Sequence, residues 1–138
     1  MANDFNLLDK LNRILEQEHA CYIRYSTHAA VVTGPSSEAI SSRLKEIAGD
    51  EAKHAAKLRD RIIALGGKPS MNVSLEDLKA GYDLETILKI NMREESDAIA
   101  AYTEILHMVP KDNIILYRTI EDLIEDEQDH LEELSSLL

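Results

Sequence analysis

Two short segments, Asp50-Glu51-Ala52-Lys53-His54 and Asp126-Glu127-Gln128-Asp129-His130, each place a histidine three residues after a glutamate. At that spacing both side chains leave one face of an α-helix. Two further glutamates mirror them. Glu18 and Glu51 are equidistant from the Gly34-Pro35 step, and Glu94 and Glu127 from the Pro110-Lys111 step, with a separation of 33 in both halves. If each step folds a helix back on the one before, the members of each pair meet at one height. A lone Glu-x-x-His is common by chance. Two copies with mirrored glutamates single out six residues: Glu18, Glu51, His54, Glu94, Glu127 and His130.

Burying a carboxylate costs several kcal/mol unless it is paired or bound to a cation. Four carboxylates in one core, with no Lys or Arg on the same stripes, call for compensating charge. Two divalent ions would neutralise them. Imidazole with carboxylate suits iron, and also manganese or zinc. The competing reading is a metal-free polar network hydrogen-bonded inside the core.

The elements that must position these residues are helical. Gly and Pro are scarce, at 5 and 3 of 138 residues, and Trp is absent. Leu, Ile, Ala, Glu and Lys dominate, which favours helix over sheet. A chain of this length predicts one domain, residues 1–138. Gly34-Pro35, Gly66-Gly67 and Pro110 break it into helices over about 5–33, 37–65, 84–108 and 112–137. Asp4, Ser36 and Asp83 are the expected N-caps and Gly66 a C-terminal cap. Tight first and third joins predict two helical hairpins. The second join, GKPSMNVSLEDLKAGYD, is too long for a turn and predicts a crossover running the length of the bundle.

Each helix carries apolar residues at alternating spacings of three and four. The first stripe is Leu8, Leu11, Leu15, Glu18, Tyr22, Tyr25, Ala29, Val32. The third is Leu84, Ile87, Asn91, Glu94, Ala98, Ala101, Ile105, Met108. The six candidate ligands occupy positions where leucines would otherwise sit. Asp50 and Asp126 precede Glu51 and Glu127 and could accept hydrogen bonds from the histidines of neighbouring helices. Tyr102, one step off its stripe, reads as packing, and Cys21 as a small core residue.

Charge and composition exclude several functions. The net charge of −11 opposes nucleic-acid binding. No apolar run approaches the ~18 residues that cross a membrane. The start MANDFNLLDK lacks the basic region of a signal peptide, and one Cys forms no internal disulfide, so a cytoplasmic location is expected. Apolar residues expected at the surface, Phe5, Ile114 and Ile115, hint at a homo-oligomer.

At these motifs the sequence resembles the bacterioferritins, from about residue 8 to about residue 134. The resemblance rests on the Glu18 helix continuing to Tyr25 and His28, on DEAKH and DEQDH, and on the ligand spacings. It implies a ferritin-like antiparallel four-helix bundle holding a di-iron ferroxidase centre. Glu18 and Glu94 would be terminal ligands, Glu51 and Glu127 would bridge two irons, and His54 and His130 would bind one iron each. Fe(II) would be oxidised by dioxygen or peroxide, for iron handling or oxidant removal. The family places a redox-active tyrosine at Tyr25, which gives this residue a catalytic role; His28 is shared with the family but lies off the ligand stripe and reads as structural. Three positions depart from the family. Ala52 replaces the methionine that binds haem, so haem is not expected. Glu46 replaces an inner-surface histidine. The chain stops at Leu138, short of the fifth helix that helps build the family's shell, so the resemblance does not carry a storage cage with it. Two other readings use the same residues: a rubrerythrin-like di-iron peroxidase, and a non-redox helical assembly protein stabilised by an ion such as zinc.

Overall fold

In a computed structural model, residues 2–138 are described, with side chains from Asn6 onward; the Phe5 side chain therefore lies outside the described residues. Helices occupy α1 (Ala2–Val31), α2 (Ser37–Ala64), α3 (Leu84–Met108) and α4 (Ile114–Ser136), with a single 3-10 turn at Leu75–Asp77. They form two antiparallel hairpins, α1 on α2 and α3 on α4, joined by the long crossover.

Local chemistry explains the ends. Asp83 caps α3 by accepting from the Thr86 amide at 3.1 Å, and Asn113 caps α4 through the Leu116 amide at 3.2 Å. At the end of α2, Gly66 takes φ +83°. Its amide reaches Ile63 O, and the Gly67 amide reaches Ile62 O, both at 2.9 Å. This pair of reversed bonds satisfies carbonyls the helix leaves open. Two caps differ from expectation. α1 already starts at Ala2, so Asp4 lies inside its first turn rather than before it. Ser36 does precede α2, but in a left-handed conformation with no capping bond from its side chain.

The crossover follows α1 from Asn12 to just past the helix end at Thr33. Asn12 donates to Lys68 O, the Ser74 amide to Glu16 O, Arg24 to Asp77 O, and the Thr33 amide to Tyr82 O. Loop residues of rising number meet α1 residues of rising number. The chain therefore climbs parallel to α1 and delivers α3 to the same end of the bundle at which α1 stops.

Two apolar layers result. One contains Leu11, Leu15, Leu58, Ile62, Ile105 and Leu123; the other contains Leu44, Ile47, Ile87, Leu88 and Leu134. Each of these side chains contributes about 1.5–3 kcal/mol by burial. Between the layers lies a belt of buried polar residues: Glu18, Glu51, His54, Glu95, Glu127 and His130.

Candidate metal centre

Two groups of four side chains share this belt. Glu18, Glu51, His54 and Glu127 form one, and Glu51, Glu95, Glu127 and His130 the other; in each, four donor atoms lie within 4.8 Å of one another. Glu51 and Glu127 belong to both groups. His54 Nδ1 lies 3.0 Å from Glu127, 3.4 Å from Glu51 and 3.5 Å from Glu18. His130 Nδ1 lies 3.4 Å from Glu51 and 3.6 Å from Glu95 and Glu127. The two imidazole rings stack with centroids 6.1 Å apart.

The far nitrogen of each ring is held from the opposite hairpin. His54 Nε2 donates to Asp126 at 3.0 Å, and His130 Nε2 to Asp50 at 3.0 Å. The expected roles of both aspartates are thus realised, and each bond turns Nδ1 toward the centre. Two tyrosines complete the arrangement. Tyr25 donates to Glu95 Oε1 at 2.6 Å, and Tyr102 donates to Glu18 Oε1 at 2.9 Å.

The electrostatics follow from burial. Glu51 and Glu127 are pushed well above the usual carboxylate range, first by burial and then by Glu18 and the other carboxylates. Burial works to lower His54, but Glu18, Glu51 and Asp126 outweigh it and hold it up to about 9. His130 is raised further against the same burial, by Glu127, Glu51 and Glu95. Burial opposes ionisation of Glu95, yet His130, Glu127 and Tyr25 bring it below its usual value. Without metal the surrounding carboxylates thus favour the protonated form of both imidazoles.

The donor set fits such ions. Glu18 Oε2, both oxygens of Glu51 and of Glu127, Glu95 Oε2 and the Nδ1 atoms of His54 and His130 are all buried with no hydrogen-bond partner. Polar atoms so stranded are costly. Here all eight belong to the two groups, and carboxylate with imidazole is a donor set for divalent first-row metals.

The structure brings five of the six sequence-derived residues together and leaves out Glu94. That residue is buried but faces the crossover, bonded to Lys79 and 3.8 Å from Arg24. The α3 carboxylate at the centre is Glu95. The expected stripe on α3 holds at Ile87, Asn91, Ala98 and Ile105, but its alternate positions fall one residue later: Leu88 is buried beside Ile87, Glu95 rather than Glu94 stands at the centre, and Tyr102, fully buried, takes the place of Ala101. A signal for this lies in the sequence. Tyr25 follows Glu18 by seven residues, and Tyr102 follows Glu95 by seven. The stripe on α1 holds at Leu11, Leu15, Glu18, Tyr25 and Ala29 and differs at one position in the centre, where Cys21 is buried and Tyr22 is 49 % exposed.

Arg24 was not anticipated. It is buried on α1, donating to Asn91 Oδ1, Asp77 O and Cys21 Sγ. It and Lys79 supply the charge facing Glu94. His28 is structural, as expected: Nε2 donates to Lys79 O, while Nδ1 accepts from Asn91. Cys21 is a buried thiol whose ionisation burial opposes. Glu46 pairs with Arg43 at the surface.

A helical bundle whose core joins four glutamates and two histidines in two overlapping groups defines the class of ferritin-like carboxylate proteins. The ferritin-like domain family matches residues 8–138, and the chain belongs to it. Among curated relatives, the bacterioferritin of Brucella melitensis is 24 % identical over 100 % of this chain and 86 % of its own length. That of Rhodobacter capsulatus is 26 % identical over 99 % and 84 %. Among solved structures, a ferritin-like, diiron-carboxylate protein from Bacillus anthracis superposes with a TM-score of 0.93 at 29 % identity, covering 100 % of this chain and 99 % of that one. The bacterioferritin-related dodecameric thioferritin of Bacteroides fragilis gives 0.87 at 25 % identity, over 96 % and 84 %.

Proposed function

We propose that this chain is a di-iron ferroxidase that binds two Fe(II) ions per subunit and oxidises them with dioxygen or peroxide. The observation that carries the reading is the convergence of eight unpartnered buried donor atoms in two groups sharing Glu51 and Glu127. In it, Glu18 and Glu95 are terminal ligands, Glu51 and Glu127 bridge, and His54 and His130 bind one ion each. Iron, as substrate, supplies one electron per ion. Dioxygen takes two electrons and two protons to become hydrogen peroxide, or peroxide takes the same to become two waters.

The protein's part is placement. Asp126 and Asp50 orient the imidazoles, and metal binding displaces the protons held at Nδ1. The apolar layers on either side keep bulk water from the carboxylates. Tyr25, bonded to Glu95, is placed to deliver a proton or an electron to the centre. The chain acts in the cytoplasm as one ferritin-like domain and as a homo-oligomer, as the dodecamer of its Bacteroides fragilis relative suggests.

Anaerobic addition of Fe(II) followed by air tests the reading. Two equivalents per chain should give the near-ultraviolet absorption of a ferric product, and Glu51→Ala should abolish it. Oxidation no faster than in buffer, with zinc held tightly instead, would leave a metal-stabilised bundle without redox chemistry.

A further inference from the structure

Tyr25 and Tyr102 hold equivalent places about the centre. Each stands seven residues beyond a glutamate of its own helix and donates to the glutamate of the facing helix. In both carboxylates the hydroxyl occupies Oε1 and leaves Oε2 without a partner. Glu51 and Glu127, which no tyrosine hydroxyl touches, keep both oxygens without a partner.

We propose that Tyr102 is a positioning residue that restricts Glu18 to one donor oxygen and so keeps a coordination position free on the Glu18–His54 half. The proposal rests on reading the belt as a metal centre. A carboxylate with both oxygens free can chelate a divalent ion and fill an extra position. Accepting from Tyr102 engages one of the two lone pairs of Oε1 and makes it a poorer metal donor, so binding through Oε2 alone is favoured. Rotating away would strand a fully buried hydroxyl for which Glu18 is the hydrogen-bond partner among the described residues, an unfavourable exchange. Tyr102 itself is fixed by the apolar layer around Leu15, Leu58 and Ile105. Tyr25 imposes the same restriction on Glu95. An open position is what distinguishes a reactive metal site from a closed structural one, and the tyrosine hydroxyls favour keeping one available.

Co(II) is the probe, because its visible absorption weakens as its coordination number rises and it reports without turnover. The full chain and Tyr102→Phe are titrated with Co(II), and the thermal midpoints of both metal-free forms are recorded. Tyr102→Phe should still bind two ions but with weaker visible absorption. Its Fe(II) oxidation should slow about tenfold, the lower range for loss of a group that orients a metal ligand. Glu18→Gln supplies the control that a general packing defect would fail. An amide offers one good donor oxygen, so adding Tyr102→Phe to Glu18→Gln should leave the spectrum unchanged. A Tyr102→Phe spectrum identical to wild type at equal stoichiometry overturns the proposal, as does an equal spectral change in both backgrounds. A wild-type chain that takes up no Co(II) overturns the metal reading and this proposal together.

Discussion

At the scale of single residues, the adjacent glutamates of α3 are physically opposite cases. Glu94 and Glu95 are both buried, but about 100° of helical rotation separates them. Glu94 meets Lys79 and Arg24, whereas Glu95 meets His130 and Tyr25 and keeps Oε2 unpartnered. Glu95→Ala should therefore lower binding from two ions per chain to one, while Glu94→Ala retains both; metal analysis after Co(II) or Fe(II) loading reads the difference. Asp126→Asn should keep both ions but weaken affinity about 10–100-fold, because the His54 ring loses the carboxylate that orients it. Competition titration against a chelator of known affinity checks this.

At the scale of elements, side chains of α1 tie the crossover to α3. Arg24 joins α1 to the crossover and to Asn91 of α3, and His28 repeats the link one turn later through Lys79 O and Asn91. Arg24→Met removes the buried donor facing Asp77 O and Asn91 and takes a positive charge from beside Glu94. It should cost about 3–5 kcal/mol of stability, the range for breaking a buried pair from one side, measurable by denaturant unfolding of the metal-free chain. At the end of α2, a Cβ on Gly67 would come 2.6 Å from Leu8 Cδ2 and 3.2 Å from Ile62 Cγ2. Gly67→Ala should therefore loosen the join between α2 and the start of the crossover, with a loss of about 1–3 kcal/mol from overpacking.

At the scale of the whole molecule, metal binding and stability are linked through protons. His54 is held up to about 9 in the metal-free fold, against about 6.5 in an unfolded chain. A raised value means the folded state binds the proton more tightly. The resulting stability is complete below about 6.5 and is lost as pH rises through about 9. Glu51 and Glu127, raised by burial, act in the same direction from the carboxylate range upward. Metal works oppositely, because its ligands must shed those protons. Thermal melts from pH 6.5 to 9 should show the metal-free midpoint falling while the stabilisation by added divalent metal grows. Parallel slopes with and without chelator would contradict a centre built on these histidines.

The sequence by itself determined the four helices, the hairpins, the long crossover and five of the six residues in the belt. Breakers, apolar spacing and mirrored motifs are local or additive properties, and a reader can count them. It also raised Asp50 and Asp126 as candidate partners of the histidines across the bundle, since a metal-bound imidazole needs an oriented acceptor. What tertiary structure decided was phase. On α1 and α3 two consecutive residues compete for the core, Cys21 with Tyr22 and Glu94 with Glu95, and counting along a single helix cannot choose between them. The choice depends on how the crossover lies. Its residues Asp77 and Lys79 bring backbone carbonyls and an ammonium to Arg24, His28 and Glu94, which binds Glu94 on that side and turns Glu95 inward. The repeated seven-residue step from glutamate to tyrosine carried the same phase. Its meaning depended on α1 and α3 facing each other across the centre, so that each tyrosine reaches the other helix's carboxylate.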